Sequence, residues 1–250
     1  MVVQNEQRLA VLIDADNASA KNLKPIMDEV AKYGLPTIKH AYGDWAKLSG
    51  WKDALLEIGA VPVQQYAYTT GKNATDAALI IEAMDILHED VVDGFVIVSS
   101  DSDFTPLALR LRESGKRVYG IGEKKTPRPF ITACDKFIYV EILSAETTTG
   151  TEEQKMIEES KTPAVPSIQS QKRPISDDTV CFLAQCISEA SGENGRCPLS
   201  TLGSLIGKKR PDFDSRNYGY AQLSKLLRAI TRFTVGGDGA SVWAKDTEST

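Results

Sequence analysis

The strongest constraint on the fold is an alternation. Between Leu9 and Ile142, short apolar runs of strand length are separated by stretches with helical spacing. Leu9–Ile13 is continuously apolar and ends on Asp14, the pattern of a parallel strand buried on both faces. Ala20–Tyr33 follows as a helix, with Leu23, Ile26, Met27, Val30 and Ala31 on one stripe and Gly34 placed to end it. Thr37–Tyr42, Val61–Tyr66, Gly94–Val98, Val118–Ile121 and Phe137–Ile142 read as further strands. Gly50–Ile58, Thr75–Leu87, Thr105–Ser114 and Phe130–Cys134 read as helices, with Thr75 a natural N-cap. Strands alternating with helices through right-handed crossovers predict a three-layer α/β/α unit with a mainly parallel sheet. In such a sheet, ligands bind beyond the carboxyl ends of the strands, where the strand order reverses.

Composition divides the chain further. Residues 1–145 hold the alternating pattern, and residues 146–174 are rich in Ser, Thr, Glu, Gln, Lys and Pro with little apolar content. That stretch reads as a flexible linker. Residues 175–250 form a third region. Asp177–Ala190, Leu199–Gly207 and Tyr220–Ile230 read as helices, and Phe233–Val235 and Val242–Ala244 as short strands around Gly236-Gly237-Asp238-Gly239. Three helices and a terminal hairpin predict a small winged-helix-like domain.

Charge separates the regions as well. The chain carries 29 basic and 34 acidic side chains, a net of −5, which alone argues against a nucleic-acid partner. The last 80 residues reverse the sign, with 11 basic against 9 acidic groups. Part of the acidity of the first region is clustered. Asp14 ends the first strand, with Asp16 and Asn17 just beyond, Asp101 and Asp103 follow the fourth, and Asp76 lies in the first turn of the helix before it. Carboxylates converging at strand ends repel one another unless a cation lies between them. All-oxygen donors favour Mg²⁺ or Mn²⁺ over zinc. Such ions activate water and stabilise the leaving oxygen of a phosphodiester. The competing assignment is structural: Asp14, Asp16 or Asn17 as a helix cap, and Asp76 as a partner of the helix dipole.

Three segments carry a family resemblance. Leu12-Ile13-Asp14-Ala15-Asp16-Asn17, Asn73-Ala74-Thr75-Asp76-Ala77-Ala78-Leu79 and Val98-Ser99-Ser100-Asp101-Ser102-Asp103-Phe104 resemble the NYN domains, PIN-like nuclease relatives that include the bacterial LabA-like proteins. The resemblance covers Gln7–Leu143 and implies a PIN-like fold and Mg²⁺- or Mn²⁺-dependent RNA cleavage leaving a 5′-phosphate and a 3′-hydroxyl. It implies that Asp14, Asp76, Asp101 and Asp103 hold metal and that Asn17 orients Asp14 or touches a phosphate. Lys72, Lys124, Lys125 and Arg128 are expected to attract the RNA backbone, with solvated surface charge as the alternative. Ser100 and Thr105 either position ligands or cap the helix that starts there. The resemblance also admits a homodimer.

A second resemblance lies in residues 175–244. Leu199–Ile206, Pro211-Asp212-Phe213-Asp214, Arg216-Asn217-Tyr218-Gly219-Tyr220 and Leu223-Ser224-Lys225-Leu226-Leu227-Arg228 resemble the OST-HTH, or LOTUS, domain, which implies RNA binding. Lys208, Lys209, Arg210, Arg216, Tyr218 and Lys225 are the expected contacts, as basic groups interleaved with aromatics. The competing role for Tyr218 and Tyr220 is core packing. The expected function is a metal-dependent endoribonuclease with a tethered RNA-binding module. The alternative is a catalytically silent RNA-binding regulator.

Other classes fit less well. No Gly-x-Gly-x-x-Gly follows the first strand and no Walker lysine loop is present. Asp14-Ala15-Asp16 superficially resembles the nucleophile motif of haloacid-dehalogenase-type phosphatases, but Ala18 stands where that family has Thr or Val. The four cysteines, Cys134, Cys181, Cys186 and Cys197, form no Cys-x-x-Cys pair and are expected as reduced thiols. No apolar run is long enough to cross a bilayer, and Met1–Arg8 is polar, so a cytoplasmic location without membrane association is expected.

Overall fold

The computed structural model describes residues 6–66, 74–143, 174–192, 194–237 and 241–248. Lys72, residues 146–173 of the expected linker, and the turn residues Asp238 and Gly239 lie outside the described residues. The chain forms two compact units, Met1–Glu159 and Ser160–Thr250.

The first unit is built on six strands: β1 (Arg8–Asp14), β2 (Leu35–Gly43), β3 (Val61–Gln64), β4 (Gly94–Val98), β5 (Arg117–Gly122) and β6 (Lys136–Tyr139). All neighbours are parallel, in the order β3-β2-β1-β4-β5-β6. The order reverses between β1 and β4, so a crevice opens at their carboxyl ends. The helices are α1 (Leu23–Val30), α2 (Trp51–Ile58), α3 (Ala74–Glu89), α4 (Thr105–Glu113) and α5 (Arg128–Ala133).

The apolar run of β1 is explained by alternation of side chains across the sheet. Ala10 and Leu12 join Leu79, Ala83, Phe104 and Leu107 of the α3 and α4 side. Leu9, Val11 and Ile13 join Leu23, Ile26 and Val30 of the α1 side. Both faces are buried, and this leaves the polar end of β1, Asp14, as the place where the strand meets function.

The expected elements differ from the structure mainly at their ends. The last strand stops at Tyr139, because its pairing with β5 ends at Gly122↔Tyr139, and residues 140–143 turn helical. The helix expected over Ala20–Tyr33 opens with a 3₁₀ turn, Ala20–Asn22, before α1. Thr75 lies within α3, which begins at Ala74, so it does not occupy the N-cap; its hydroxyl donates instead to Asp16 Oδ2 at 2.8 Å.

The second unit comprises α6 (Asp177–Ala190), β7 (Cys197–Pro198), α7 (Leu199–Lys209), α8 (Leu223–Arg228), β8 (Phe233–Gly236) and β9 (Trp243–Asp246). Ser176 caps α6 by accepting from the Thr179 amide. The strands form an antiparallel sheet in the order β7-β9-β8. β7 is two residues long, too short for periodicity to reveal. Leu183, Ile187, Leu202, Ile206, Leu227 and Phe233 make the core. The helix expected from Tyr220 begins at Leu223, because Gly219 sits in the left-handed region at φ 81° and ends a 3₁₀ turn first. A winged-helix-like arrangement results. Among the described residues, no helix is long and apolar enough to cross a membrane.

Candidate functional site

Each acid of the first unit is placed by a specific element. Asp14 is the last residue of β1 and is completely buried. Its Oδ2 accepts from Asn17 Nδ2 and from Ser99 Oγ, both at 2.8 Å, and its Oδ1 accepts from the Asp16 amide at 3.1 Å. Burial pushes its carboxyl up, and the bonds from Asn17, Ser99 and Asp16 oppose that shift. Asn17 therefore orients Asp14. Asp16 is exposed and is tied to the start of α3 through Thr75.

Asp101 follows β4 and caps the 3₁₀ turn Ser102–Phe104, accepting from the Asp103 amide at 2.9 Å. Asp76 enters from the first turn of α3. One carboxylate oxygen from each of Asp76, Asp101 and Asp103 lies within 4.8 Å of the other two. The structure brings these three together, while Asp14 lies deeper, behind its own donors. The carboxyl of Asp76 is pushed up to about 6, first by burial, then by the negative charges of Asp14, Asp101, Asp103 and Asp16. This is the behaviour of acids crowded around a space that suits a cation.

Ser99, given no role from the sequence, turns out to organise the site. Its hydroxyl donates to Asp14 and accepts from the Asp101 amide at 3.1 Å, linking the end of β1 to the turn after β4. The only sequence signal is its position directly after the strand. Ser100 Oγ accepts from the Glu123 amide at 2.9 Å, which fastens the end of β4 to the loop after β5. Thr105 Oγ1 donates to the Ser102 carbonyl at 2.6 Å, a local cap. Gly122, at the end of β5, is required by close approach: a Cβ there would lie 2.6 Å from the Ser99 carbonyl oxygen.

A family model of the NYN domain matches residues 8–143. The chain belongs to the NYN-domain family. A second family model, the OST-HTH/LOTUS domain, matches residues 176–243. The NYN domain is a PIN-like nuclease family, and the six-stranded parallel sheet flanked by helices is a PIN-like α/β/α fold. Solved structures similar to the chain include a crystal structure of a protein of unknown function from Vibrio parahaemolyticus, 19% identical over 55% of this chain and 94% of that one, with a TM-score of 0.47. Another is a solution NMR structure of an uncharacterized protein from Nitrosomonas europaea, 24% identical over 38% of this chain and 95% of that one, with a TM-score of 0.28. No curated protein matches the chain.

In the NYN domain, Lys124, Lys125 and Arg128 are exposed and follow the carboxyl end of β5, with Arg128 opening α5. Lys125 pairs with Glu123 at 2.8 Å. In the OST-HTH domain, several expected contacts are engaged internally. Lys209 Nζ binds Glu189, and Arg210 binds Asp178 at 2.8 Å with its guanidinium 4.1 Å from the Phe182 ring centroid. Arg216 holds Asp214 at 2.7 Å with both side chains largely shielded. Tyr218 packs on Phe213 and shares a hydrogen bond with Thr179. Lys208 and Lys225 are exposed.

Proposed function

We propose that the protein is a divalent-metal-dependent endoribonuclease whose OST-HTH domain recruits RNA to the NYN domain. The observation that carries this reading is the convergence of Asp76, Asp101 and Asp103 at the strand-order reversal, with Asp14 buried behind them. The donors are hard oxygens, which suit Mg²⁺ or Mn²⁺. Asp76, Asp101 and Asp103 would hold the ion, and the charge of Asp14 reinforces the negative potential there. When bound, the ion supplies an activated water and charge stabilisation on the leaving oxygen.

The chain's own residues do the positioning. Asn17 and Ser99 fix the Asp14 carboxylate, and Ser99 also holds the turn that presents Asp101. Lys124, Lys125 and Arg128 stand at the same sheet edge and supply positive charge for a phosphate backbone approaching the acids. Lys208 and Lys225 offer such charge on the second domain. Weak binding there raises the local concentration of RNA at the first domain.

The test is cleavage of a labelled single-stranded RNA by the full chain in Mn²⁺, Mg²⁺ or EDTA, beside Asp101→Asn. Cleavage that requires metal and disappears in the variant is the expected result. RNA binding without cleavage of any strand, lost on deleting residues 171–250, would assign the protein as a silent RNA-binding regulator.

A further inference from the structure

The OST-HTH domain has a second cationic face, carried by its small sheet. β7, β9 and β8 pair in the register Cys197↔Ala244, Pro198↔Trp243, Val235↔Ala244 and Gly236↔Trp243. Side chains alternate along a strand. Cys197, Val235 and Ala244 lie in or against the core, so Pro198, Gly236 and Trp243 share the outer face. Thr234 and Lys245 are paired and stand two residues from Gly236 and Trp243, so they join that face. The same register sets Arg196 opposite Lys245. Arg196, Lys245 and Thr234 are exposed, and Trp243 is half-buried.

Three contacts order this face. The Arg196 guanidinium lies over the Trp243 ring, 4.3 Å from its centroid. A Cβ at Gly236 would come within 2.5 Å of the indole, so the bare backbone there is what lets the ring cross β8. The Lys245 stem runs beside Gly195, where a Cβ would meet its Cε at 3.3 Å. Asp246, next along β9, alternates to the other side and is held by Arg232 at 2.8 Å. Among the described residues the outer face therefore carries two cations and an aromatic ring, and no carboxylate. Neither Arg196 nor Lys245 forms an ion pair among the described residues, unlike Lys209, Arg210 and Arg216.

We propose that this outer sheet face binds single-stranded RNA, with Arg196 and Trp243 acting as one stacking unit for an unpaired base and Lys245 contacting the adjacent phosphate. The proposal rests on the RNA-binding reading of the OST-HTH domain. Bases stack on indole and guanidinium planes without sequence preference, and a paired base presents no free face. A guanidinium already seated on a ring needs little further ordering to receive a base.

The experiment uses the full chain in EDTA with short labelled oligo-uridine and oligo-adenosine strands, read by fluorescence anisotropy at several salt concentrations. Arg196→Ala combined with Lys245→Ala alters only exposed side chains. It should weaken binding roughly tenfold or more, since a stacking partner and a phosphate contact are lost together. It should also make the salt slope shallower by about 0.7, the value for the one phosphate contact of Lys245 on a single strand. Tryptophan emission should be quenched by RNA in the unaltered protein and not in Trp243→Phe. Unchanged affinity and slope in the double variant, with the loss falling instead on Lys208→Ala and Lys225→Ala, would overturn the proposal and leave RNA binding on the helices. No binding of either strand by the unaltered protein would overturn both the face and the RNA-binding reading.

Discussion

Replacing Asp76 with Asn should stabilise the protein in EDTA while abolishing its response to Mn²⁺. The carboxyl of Asp76 is pushed from 3.8 up to about 6 by burial and by four neighbouring acids. A shift of roughly two units corresponds to about 3 kcal/mol against the charged form at neutral pH. The side chain is only half-buried, so solvent screening reduces this to about 1–2 kcal/mol. Asn loses the favourable interaction of a negative charge with the first turn of α3, worth roughly 0.5 kcal/mol. The net gain is about 1 kcal/mol, or roughly 3 °C in melting temperature for a unit of this size. The sign follows from the direction of the shift. A raised carboxyl contributes full stability below its unfolded value of 3.8 and loses it as pH rises through about 6. The melting gap between variant and unaltered protein should therefore be widest above pH 7 and close towards pH 4. In Mn²⁺ the order should invert, because a bound ion stabilises by about 2.7 kcal/mol at a hundredfold excess over Kd. Differential scanning calorimetry of both proteins, with EDTA and with Mn²⁺ across this pH range, makes the measurement. A variant that melts below the unaltered protein in EDTA at pH 7.5, or a gap indifferent to pH, would refute the reasoning.

Protons and metal compete for the same carboxylate, so Mn²⁺ affinity should be flat above pH 7 and fall about tenfold per unit below pH 6, as titration calorimetry can show. Ser99→Ala removes a donor from the buried Asp14 and an acceptor from the Asp101 amide, and should cost about 1–3 kcal/mol. Because that bond favours ionised Asp14, the loss should shrink on acidification; a loss constant with pH would contradict this. Gly122→Ala drives a methyl to 2.6 Å from the Ser99 carbonyl and should depress metal affinity together with melting temperature. Leu227→Ala empties a fully buried position of the second core and should cost that domain about 2–5 kcal/mol. The Mn²⁺-dependent rise of the NYN-domain transition should persist in Leu227→Ala, monitored by tryptophan emission, since Trp45 and Trp51 lie in the first unit.

The sequence alone determined the layer architecture. The unbroken apolar run of β1 requires a strand covered on both sides, and the helical stripes between the runs supply the covers. It also determined that acids would gather at one edge, because Asp14 and Asp101 end or follow strands and parallel strands end together. It did not determine which acids meet. Asp76 and Asp101 are 25 positions apart, and their approach to Asp103 depends on where α3 enters over the end of β4. The burial of Asp14 and its bond from Ser99 depend equally on the β1–β4 register, whereas its donors Asp16 and Asn17 are near neighbours in the chain. Basic residues were legible as charge, but not as partners. Lys209 and Arg210 are neutralised by Glu189 and Asp178, and those pairings exist only once α6 and α7 are packed, whereas Arg216 is held by Asp214 two residues earlier in the same turn. The Arg196–Trp243 stack was invisible for the same reason: 47 residues separate its members, and a two-residue strand with no periodicity joins them. Local pattern is a property of neighbours in the chain, whereas a site is a property of neighbours in space, and register and crossover geometry connect the two.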